Sequence, residues 1–584
     1  MSQNSSRNLL NINVGILGHV DSGKTSLARA LSSHFSTAAL DKSVQSKERG
    51  ITLDLGFSCF STSMPEHLMK AAAKSPSDNH NYSGIQFTLV DCPGHASLIR
   101  TIIGGAGIID MMLLVIDVGK GIQTQTAECL VIGEVLTDHL IVVLNKVDLF
   151  PEDKRKEKIE KLTKKLRQKV FKLTKFGANV TMVCTAANPG GTPPDDLVQE
   201  DHTIDKRTSN IDELVSVLRS TVRLPTRSSD GDFLYAIDHC FGIKGKGTVL
   251  TGTILSGRIK VGETVEIPTL KLERKVKSLQ MFHQPVKVAQ QGDRVGMLVT
   301  QLDGSLIERG LVCSPGVVPT FSAAIARVEK IRFCKSKCLS KSKIHISTGH
   351  TTVLASLLFF CLPSLDELSA HSSRNSQNRE EKTDDEPHEA NQSDLSFDFS
   401  REYLYLDELA KKRPKDSQFV LLEFERPITC PRYSRIIGSK LDMEVTTSDI
   451  RLVFQGQLLC QFKMKDIKGD SKLLIYKPKS REGSVDRIHD SNTIIGKDLF
   501  QKETDLSLFF GMTVELQTGE IGVIEGAFGK SGKFKVHFRD GLEAFTKMVT
   551  DSNTADKTKS DVEVSDANDA KKKKKRSQKM TIKC

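Results

Sequence analysis

No apolar run in the chain approaches the roughly 20 residues that a helical membrane span needs, so a helical membrane protein is not expected. The opening MSQNSSRNLL lacks both the basic start and the long apolar core of a secretory leader. The twelve cysteines include no C-x-x-C pair, which argues against a disulfide scaffold and for a reducing compartment, cytosol or nucleus. Cys334 and Cys338 lie near His345 and His350, which leaves a zinc site open, although the spacing matches no standard finger. What is present is length and positive charge. A chain of 584 residues exceeds what one core can hold, so about three to five domains are expected. The net charge of +11 suits a nucleic-acid partner.

The segment NINVGILGHVDSGKTSLARAL reads as a strand, a glycine loop and a helix. IQFTLVDCPGH, DMMLLVIDV, LIVVLNKVDLF and VTMVCTAANPGG are further strands ending in polar turns, and helical stretches such as EDKRKEKIEKLTKKLRQKVFKL lie between them. That alternation predicts an α/β domain over residues 1–225, a mostly parallel sheet with helices on both faces. A polar insert at about Ser61 to Gly84 reads as a surface loop. After Gly231 short β-branched runs alternate with glycine turns, which predicts a small antiparallel barrel over 226–320. A second barrel is expected over 321–478, with a polar, charged insert at about 365–400 that lacks the composition to fold. A small β-rich domain follows over 479–550, and 551–584 reads as a disordered basic tail.

The first glycine loop, GHVDSGKT (Gly18 to Thr25), fits G-x-x-x-x-G-K-[ST]. Its backbone N–H groups would close around phosphates, Lys24 would reach the β- and γ-phosphates, and the Thr25 hydroxyl would ligate Mg²⁺. Gly18, Asp21, Ser22, Gly23, Lys24, Thr25 and Ser26 are the candidate phosphate-loop residues. DCPGH (Asp91 to His95) follows the next clear strand; Asp91 would hold Mg²⁺ through water and Gly94 would offer its N–H to the γ-phosphate. NKVD closes a third strand with Asn145, Lys146 and Asp148, and Asp148 can accept both N–H groups of the guanine edge, which adenine lacks. Three such motifs in order on successive strands predict GTP binding and hydrolysis. In KERGITLDLGF, Thr52 is placed to add its hydroxyl to Mg²⁺ and to sense the γ-phosphate. The loop that should support guanine through Ser-Ala-Lys carries Ala186, Ala187 and Asn188 instead, so a backbone contact is expected there.

Taken together, GHVDSGKT, RGIT, DCPGH and NKVD followed by two β-domains resemble the translational GTPases related to elongation factor Tu. That resemblance implies that His95 orients the attacking water, with Val20 and Ile51 as an apolar gate beside it. QSKERGITLDLGF, the long stretch from DCPGHASLIR to ECLVIG, and the extra domain after the third are similar to the eukaryotic selenocysteine-specific branch of that family. The resemblance implies GTP/GDP and Mg²⁺ as cofactors, selenocysteyl-tRNA as cargo, and the ribosome as the partner that stimulates hydrolysis. It also implies recruitment to UGA codons through a messenger-RNA hairpin and a hairpin-binding protein. The chain itself reads as a monomer with no membrane partner. Two alternatives share the core: the initiator-tRNA-binding gamma subunit of an initiation factor, and a general elongation GTPase without selenocysteine specificity.

The same resemblance draws attention to LYAIDHCFGIKGKGTVLTGTI and the turn QQGDRVG. In general elongation factors the matching strands line a permissive aminoacyl pocket. Here they carry Asp238, His239 and Arg294, a charged set suited to an anionic side chain. A selenol is ionised at pH 7, whereas a cysteine thiol, with a pKa near 8.5, is mostly neutral. Opposite charges about 4 Å apart attract by roughly 4 kcal/mol at an effective dielectric near 20, before desolvation is subtracted. Arg294 and His239 are therefore expected to converge on the side chain, with Asp238 steadying one of them or meeting the α-amino group. Cys240 is expected to point to the opposite face and pack. Lys530, Lys533 and Lys535 give the fourth domain a basic surface for RNA or protein, and KKKKKR (Lys571 to Arg576) reads as a solvated tail, a nuclear signal or an RNA contact.

Overall fold

β1 (Leu9–Leu17) is buried along nearly its whole length, as expected of a strand covered on both faces. It pairs in parallel with β4 (Gly84–Asp91) and β5 (Met111–Asp117), and β6 (Leu140–Asn145) and β7 (Thr181–Thr185) extend the parallel array. β3 (Gly56–Ser63) runs antiparallel to β4, with the short β2 (His34–Phe35) outside it, so the order is β2-β3-β4-β1-β5-β6-β7. The helices between these strands are α1 (Lys24–Leu31), α2 (Glu66–Ala72), α3 (Thr124–Leu136), α4 (Glu152–Lys169) and α5 (Ile211–Thr221). The computed structural model describes residues 9–32, 34–35, 56–72, 82–92, 108–188, 210–227, 230–282, 284–349, 351–363, 397–411, 413–414, 416–443, 449–463, 473–477, 480–529, 532–548 and 579–583.

One detail of this domain departs from the sequence reading. The insert expected as a surface loop begins as strand and continues as α2, whose Leu68 joins the hydrophobic core beside Ile85 and Phe87. Met64 and Tyr82, from the same insert, pack against that core as well. α3 is buried on nearly every side, including Glu128. A helix covered all round has neighbours on both flanks, and the second flank is supplied by another domain.

From Leu234 the chain becomes antiparallel: β8 (Leu234–Ile243), β9 (Gly247–Ser256), β10 (Arg258–Lys260), β11 (Thr264–Ile267), β12 (Leu272–Met281), β13 (Gln284–Val286), β14 (Val288–Gln290), β15 (Arg294–Val299) and β16 (Gly310–Cys313). The sheet runs β11-β16-β8-β9-β15-β12-β13 and returns on itself through β11 and β12, while β10 pairs with β14. Tyr235, Ile237, Leu250, Ile254, Val295, Met297 and Val299 fill its interior. The next barrel is built from β17 (Thr320–Lys330), β18 (Lys343–Thr348), β19 (Thr351–Cys361), β21 (Gln418–Thr429), β22 (Arg435–Ser439) and β23 (Leu452–Phe462), in the order β18-β22-β23-β17-β21-β19 and closed by β18 against β19. Most of its polar insert lies outside the described residues; Phe397, at the insert's end, packs edge-on against Phe419 at 5.5 Å.

The chain divides into two compact units, the first being Met1–Phe359 with Leu395–Phe397 and Asp407–Ser471. In the second unit β20 (Glu402–Leu406) pairs in parallel with β24 (Leu474–Tyr476). A closed barrel follows, ordered β25-β26-β29-β28-β27-β30, from β25 (Ser480–Asp490), β26 (Thr493–Lys497), β27 (Thr513–Leu516), β28 (Ile521–Phe528), β29 (Lys533–His537) and β30 (Lys579–Lys583). Phe534, Val536, Phe538 and Phe545 are central to its core. The tail expected to be disordered over 551–584 therefore includes a barrel strand: Lys579–Lys583 lies between β25 and β27, paired with both. Alternating KMTIK supplies the strand pattern, and the lysine-rich run before it conceals the pattern in composition. Lys571 to Arg576 and Lys530 lie outside the described residues.

Candidate functional site

The loop joining β1 to α1 turns through Asp21 and Gly23, both at positive φ. Gly23 has no alternative, because a Cβ there would run into Asn145 Nδ2. Thr25 Oγ1 donates to Asp91 Oδ2 at 2.7 Å, joining this loop to the end of β4. Lys24 is buried and its Nζ donates to the His19 carbonyl at 2.7 Å. Burial pulls the Lys24 ammonium below its ordinary value, against the opposing pull of Asp91, and burial likewise pushes Asp91 up. Asp91 Oδ1 and Ser22 Oγ are buried without a hydrogen-bond partner among the described residues. A hydroxyl, an adjoining carboxylate with an uncommitted oxygen, and a buried ammonium match the donor set of a hydrated Mg²⁺ and a phosphate. Gly94, His95, Thr52 and Ile51 lie outside the described residues. Val20, expected beside His95 in an apolar gate, gives its N–H to Gln125 Oε1 of α3 at 3.2 Å.

His19, which the sequence reading passed over, is almost wholly buried beneath this loop. Burial, with the nearby Lys24 charge adding to it, pulls its pKa from 6.5 to about 4. The unfolded ring therefore binds a proton at higher pH than the folded one, so stability from this group is fully present above pH 6.5 and declines as pH falls to about 4. His19→Gln is expected to flatten the fall in Tm over that interval; an equally steep Tm profile would refute the assignment.

The loops that follow β1, β6 and β7 are tied together by Asn145. Its Nδ2 donates to the Ser22 carbonyl at 3.0 Å, while its Oδ1 accepts from Thr185 Oγ1 and from the Ala187 N–H, each at 3.1 Å. Ala186 and Ala187 are buried beside it. Lys146 sits at positive φ, bonded at 3.0 Å to Asp117, whose carboxylate also caps the N–H groups of Gly119 and Lys120. Asp148 lies in the short 3-10 turn that follows. Asp117 was missed in the sequence; its position at the end of a buried strand, ahead of a glycine turn, was the available signal.

On the barrel of the second domain the polar stretch of β8 is explained by a β-bulge. Ile237 faces Gly252 and His239 faces Thr251, leaving Asp238 as the extra residue. Alternation fails at this point: Tyr235 and Ile237 point into the core and Cys240 packs against it again, so Asp238 and His239 share the outer face. Arg294 lies on that face of β15, directly opposite Thr253 of β9. Arg294 Nη1 donates to Asp238 Oδ2 at 2.6 Å, with side-chain exposures of 5% and 2%. Asp238, expected to steady either Arg294 or His239, is bonded to Arg294. Among the described residues, Arg294 Nη2 and Thr253 Oγ1 are buried without a hydrogen-bond partner. The guanidinium carbon lies 3.0 Å from the centroid of the Phe57 ring, which belongs to β3 of the nucleotide domain.

The comparisons with known proteins follow the same division of the chain. The elongation factor Tu GTP-binding domain matches residues 10–223 and elongation factor Tu domain 2 matches 247–313. The third domain of eukaryotic selenocysteine-specific elongation factor matches 325–456, and the eEFSec C-terminal RIFT domain matches 471–584. A selenocysteine-specific elongation factor of Mus musculus is 48% identical over 566 residues, spanning 92% of this chain and 90% of that protein. The chain belongs to the selenocysteine-specific elongation factors. The member from Methanocaldococcus jannaschii is 30% identical over 93% of this chain and 98% of its own length. Among solved structures, translation elongation factor SelB of Methanococcus maripaludis with the GTP analogue GppNHp shares the fold, with a TM-score of 0.65 at 23% identity over 99% of this chain and 98% of that one. A bacterial selenocysteine-specific elongation factor aligns with a TM-score of 0.52 at 19% identity over 80% of this chain and 61% of that one. These matches favour neither the initiation-factor alternative nor a general elongation GTPase.

In this selenocysteine-specific elongation factor, α3 links the nucleotide loop to the third domain. On one side Thr126 Oγ1 lies 3.5 Å from His19 Nδ1 and Cys129 Sγ approaches the Gly18 carbonyl at 3.9 Å. On the other side Glu128 accepts three bonds from Arg451: from its backbone N–H and Nε at 3.0 Å each, and from Nη2 at 2.7 Å. Arg435 donates to the Val135 carbonyl in the last turn of the same helix, where a cation is favoured by the helix dipole. The second domain is tied to β1 as well: Asn11 and Asn13 donate to the Gly292 carbonyl at 2.6 and 3.0 Å. As for Cys334 and Cys338, both are buried, and no group of three or more His, Cys, Asp or Glu suited to a metal occurs among the described residues.

Proposed function

We propose that this GTPase carries selenocysteyl-tRNA to ribosomes reading UGA as selenocysteine, and that the charged face around Arg294 selects the cargo. The observation that carries the reading is a buried guanidinium, anchored on one side by Asp238, whose Nη2 has no hydrogen-bond partner among the described residues. Burying a charged group without full pairing is costly unless something completes it. A selenolate supplies the missing acceptor and negative charge, and the neutral hydroxyl of serine supplies no charge. His239, on the same face, adds a second donor at the pocket edge.

On the nucleotide side, Lys24 and the loop N–H groups would bind the phosphates of GTP, and Asp148 with Lys146 would hold the guanine. Thr25, Asp91 and Thr52 would hold Mg²⁺, which offsets phosphate charge when bound. His95, released past Val20 and Ile51 by the ribosome, would orient water for attack on the γ-phosphoryl group to yield GDP and phosphate. Hydrolysis would loosen the Thr52 segment and with it the grip on the tRNA. The fourth domain and a hairpin-binding protein would bring the complex to the messenger-RNA hairpin. We place the protein in the cytoplasm, with nuclear access through Lys571 to Arg576.

Capturing the protein from cells in a non-hydrolysable GTP analogue and sequencing the bound tRNA tests this reading. Enrichment of selenocysteine tRNA is expected; enrichment of initiator or mixed elongator tRNAs would overturn it.

A further inference from the structure

Arg227 lies in the linker between α5 and β8, past the matched nucleotide domain and ahead of the matched second domain. Its guanidinium rests on Gly292, which has a positive φ and where a Cβ would run into the guanidinium carbon. Arg227 Nη2 donates to Asp110 Oδ2 at 2.6 Å, and the same carboxylate oxygen accepts the Asn13 N–H at 2.8 Å. The Gly292 carbonyl meanwhile accepts from the Asn11 and Asn13 side chains of β1. Asn11 holds its amide in that direction because its Oδ1 accepts from Thr88 Oγ1 at 2.6 Å, leaving Nδ2 for Gly292. Within its own barrel Gly292 donates its N–H to the Ile254 carbonyl at 2.8 Å, and the Asp293 carbonyl accepts the Ile254 N–H at 3.0 Å. The next residue is Arg294.

We propose that Arg227 is a positioning residue for cargo selection: it locks the turn that launches Arg294 against the nucleotide domain and so keeps water out of the pocket. The inference rests on the selenocysteine-pocket reading above. Arg294 opens β15 on the outer face of its barrel, where solvent would reach it in an isolated barrel, yet it is 5% exposed. Its burial is therefore set by how closely the two domains meet. Two neutral asparagine bonds hold the turn from β1. A guanidinium seated on the glycine and charge-bonded to Asp110 adds a stronger tie from a third segment of chain. Electrostatic selection depends on that closure, because unit charges attract about fourfold more weakly in bulk water than at an effective dielectric near 20. A joint that slips would leave Asp238, His239 and Arg294 in place and let water screen them. Arg227 thus acts through Gly292, two residues before Arg294.

The test measures protection of selenocysteyl- and seryl-tRNA from hydrolysis by the full GTP-bound chain. Both cargoes are read on the same sample, so a loss of folded protein cancels in their ratio. Arg227→Lys keeps a charge for Asp110 and takes the guanidinium off Gly292. Arg227→Met with Asp110→Asn removes both charges, so that no buried carboxylate is stranded and the Asn13 N–H keeps an acceptor. Both variants are expected to lower the selenocysteyl-to-seryl ratio by about tenfold while GTP affinity stays within about twofold of wild type. If both keep the wild-type ratio while Arg294→Gln lowers it, the role of Arg227 is overturned and the pocket stands. If GTP affinity falls in step with the ratio, Arg227 acts on the nucleotide site and its role in cargo selection is likewise overturned. If Arg294→Gln also keeps the wild-type ratio, the pocket reading and this inference fall together.

Discussion

Arg294→Ala is expected to abolish cargo preference and to destabilise the chain at the same time. Cargo preference should fall by more than tenfold between selenocysteyl- and seryl-tRNA, since even half of the roughly 4 kcal/mol attraction at 4 Å exceeds the 1.4 kcal/mol that corresponds to a factor of ten. The stability loss has a different origin. Asp238 is 2% exposed, and removing its cation strands a buried carboxylate, a change that typically costs about 3–5 kcal/mol. The two effects can be separated with Asp238→Asn combined with Arg294→Gln, which keeps a hydrogen bond and removes both charges. The double variant is expected to regain most of the stability, read by denaturant unfolding, and none of the preference, read by hydrolysis protection. Recovery of preference in the uncharged pair would sink the anion-pocket reading.

Glu128→Ala carries the second large effect. Arg451 is 5% exposed and directs its backbone N–H, Nε and Nη2 at one carboxylate. Without Glu128 a guanidinium is left buried between two domains, and a loss of about 3–5 kcal/mol is again expected. The consequence should reach the nucleotide, because the residues flanking Glu128 on α3 lie against the loop at Gly18 to Val20. Weaker GTP and GDP binding should accompany the drop in Tm. Replacing both partners, Glu128→Gln with Arg451→Met, removes the stranded charge and is expected to restore much of the Tm. Unchanged hydrogen-exchange protection of α3 in Glu128→Ala would refute the proposed bracing.

What could be read from sequence follows from how local each feature is. The strand–loop–helix around Gly18 to Thr25 was legible because phosphate loops need glycines at fixed offsets and an apolar strand before them. The barrels were legible from β-branched runs punctuated by glycine turns, although the sequence alone did not reveal that Lys579–Lys583 completes the last one. The bulge at Asp238 was hidden because reading a strand assumes strict alternation, and one extra residue shifts the phase for everything after it. The cross-domain contacts were illegible for another reason: Asn11 with Gly292 and Glu128 with Arg451 join residues 281 and 323 positions apart. Their only local trace is polarity where burial demands apolarity, in Asn11 and Asn13 of β1 and in Glu128 of α3. Such residues in buried elements are the ones to interrogate for a partner in another domain.

β30 gives the last barrel a dependence on the order of synthesis. Its neighbours β25 and β27 are translated first and stay as two unpaired edges until residues 579–583 have cleared the ribosome. A chain cut before Lys579 would keep every residue of the other five strands and still leave those edges open to other chains. Truncations meant to remove only a basic tail would therefore produce a sticky protein, and a loss of activity in them would say nothing about the lysines.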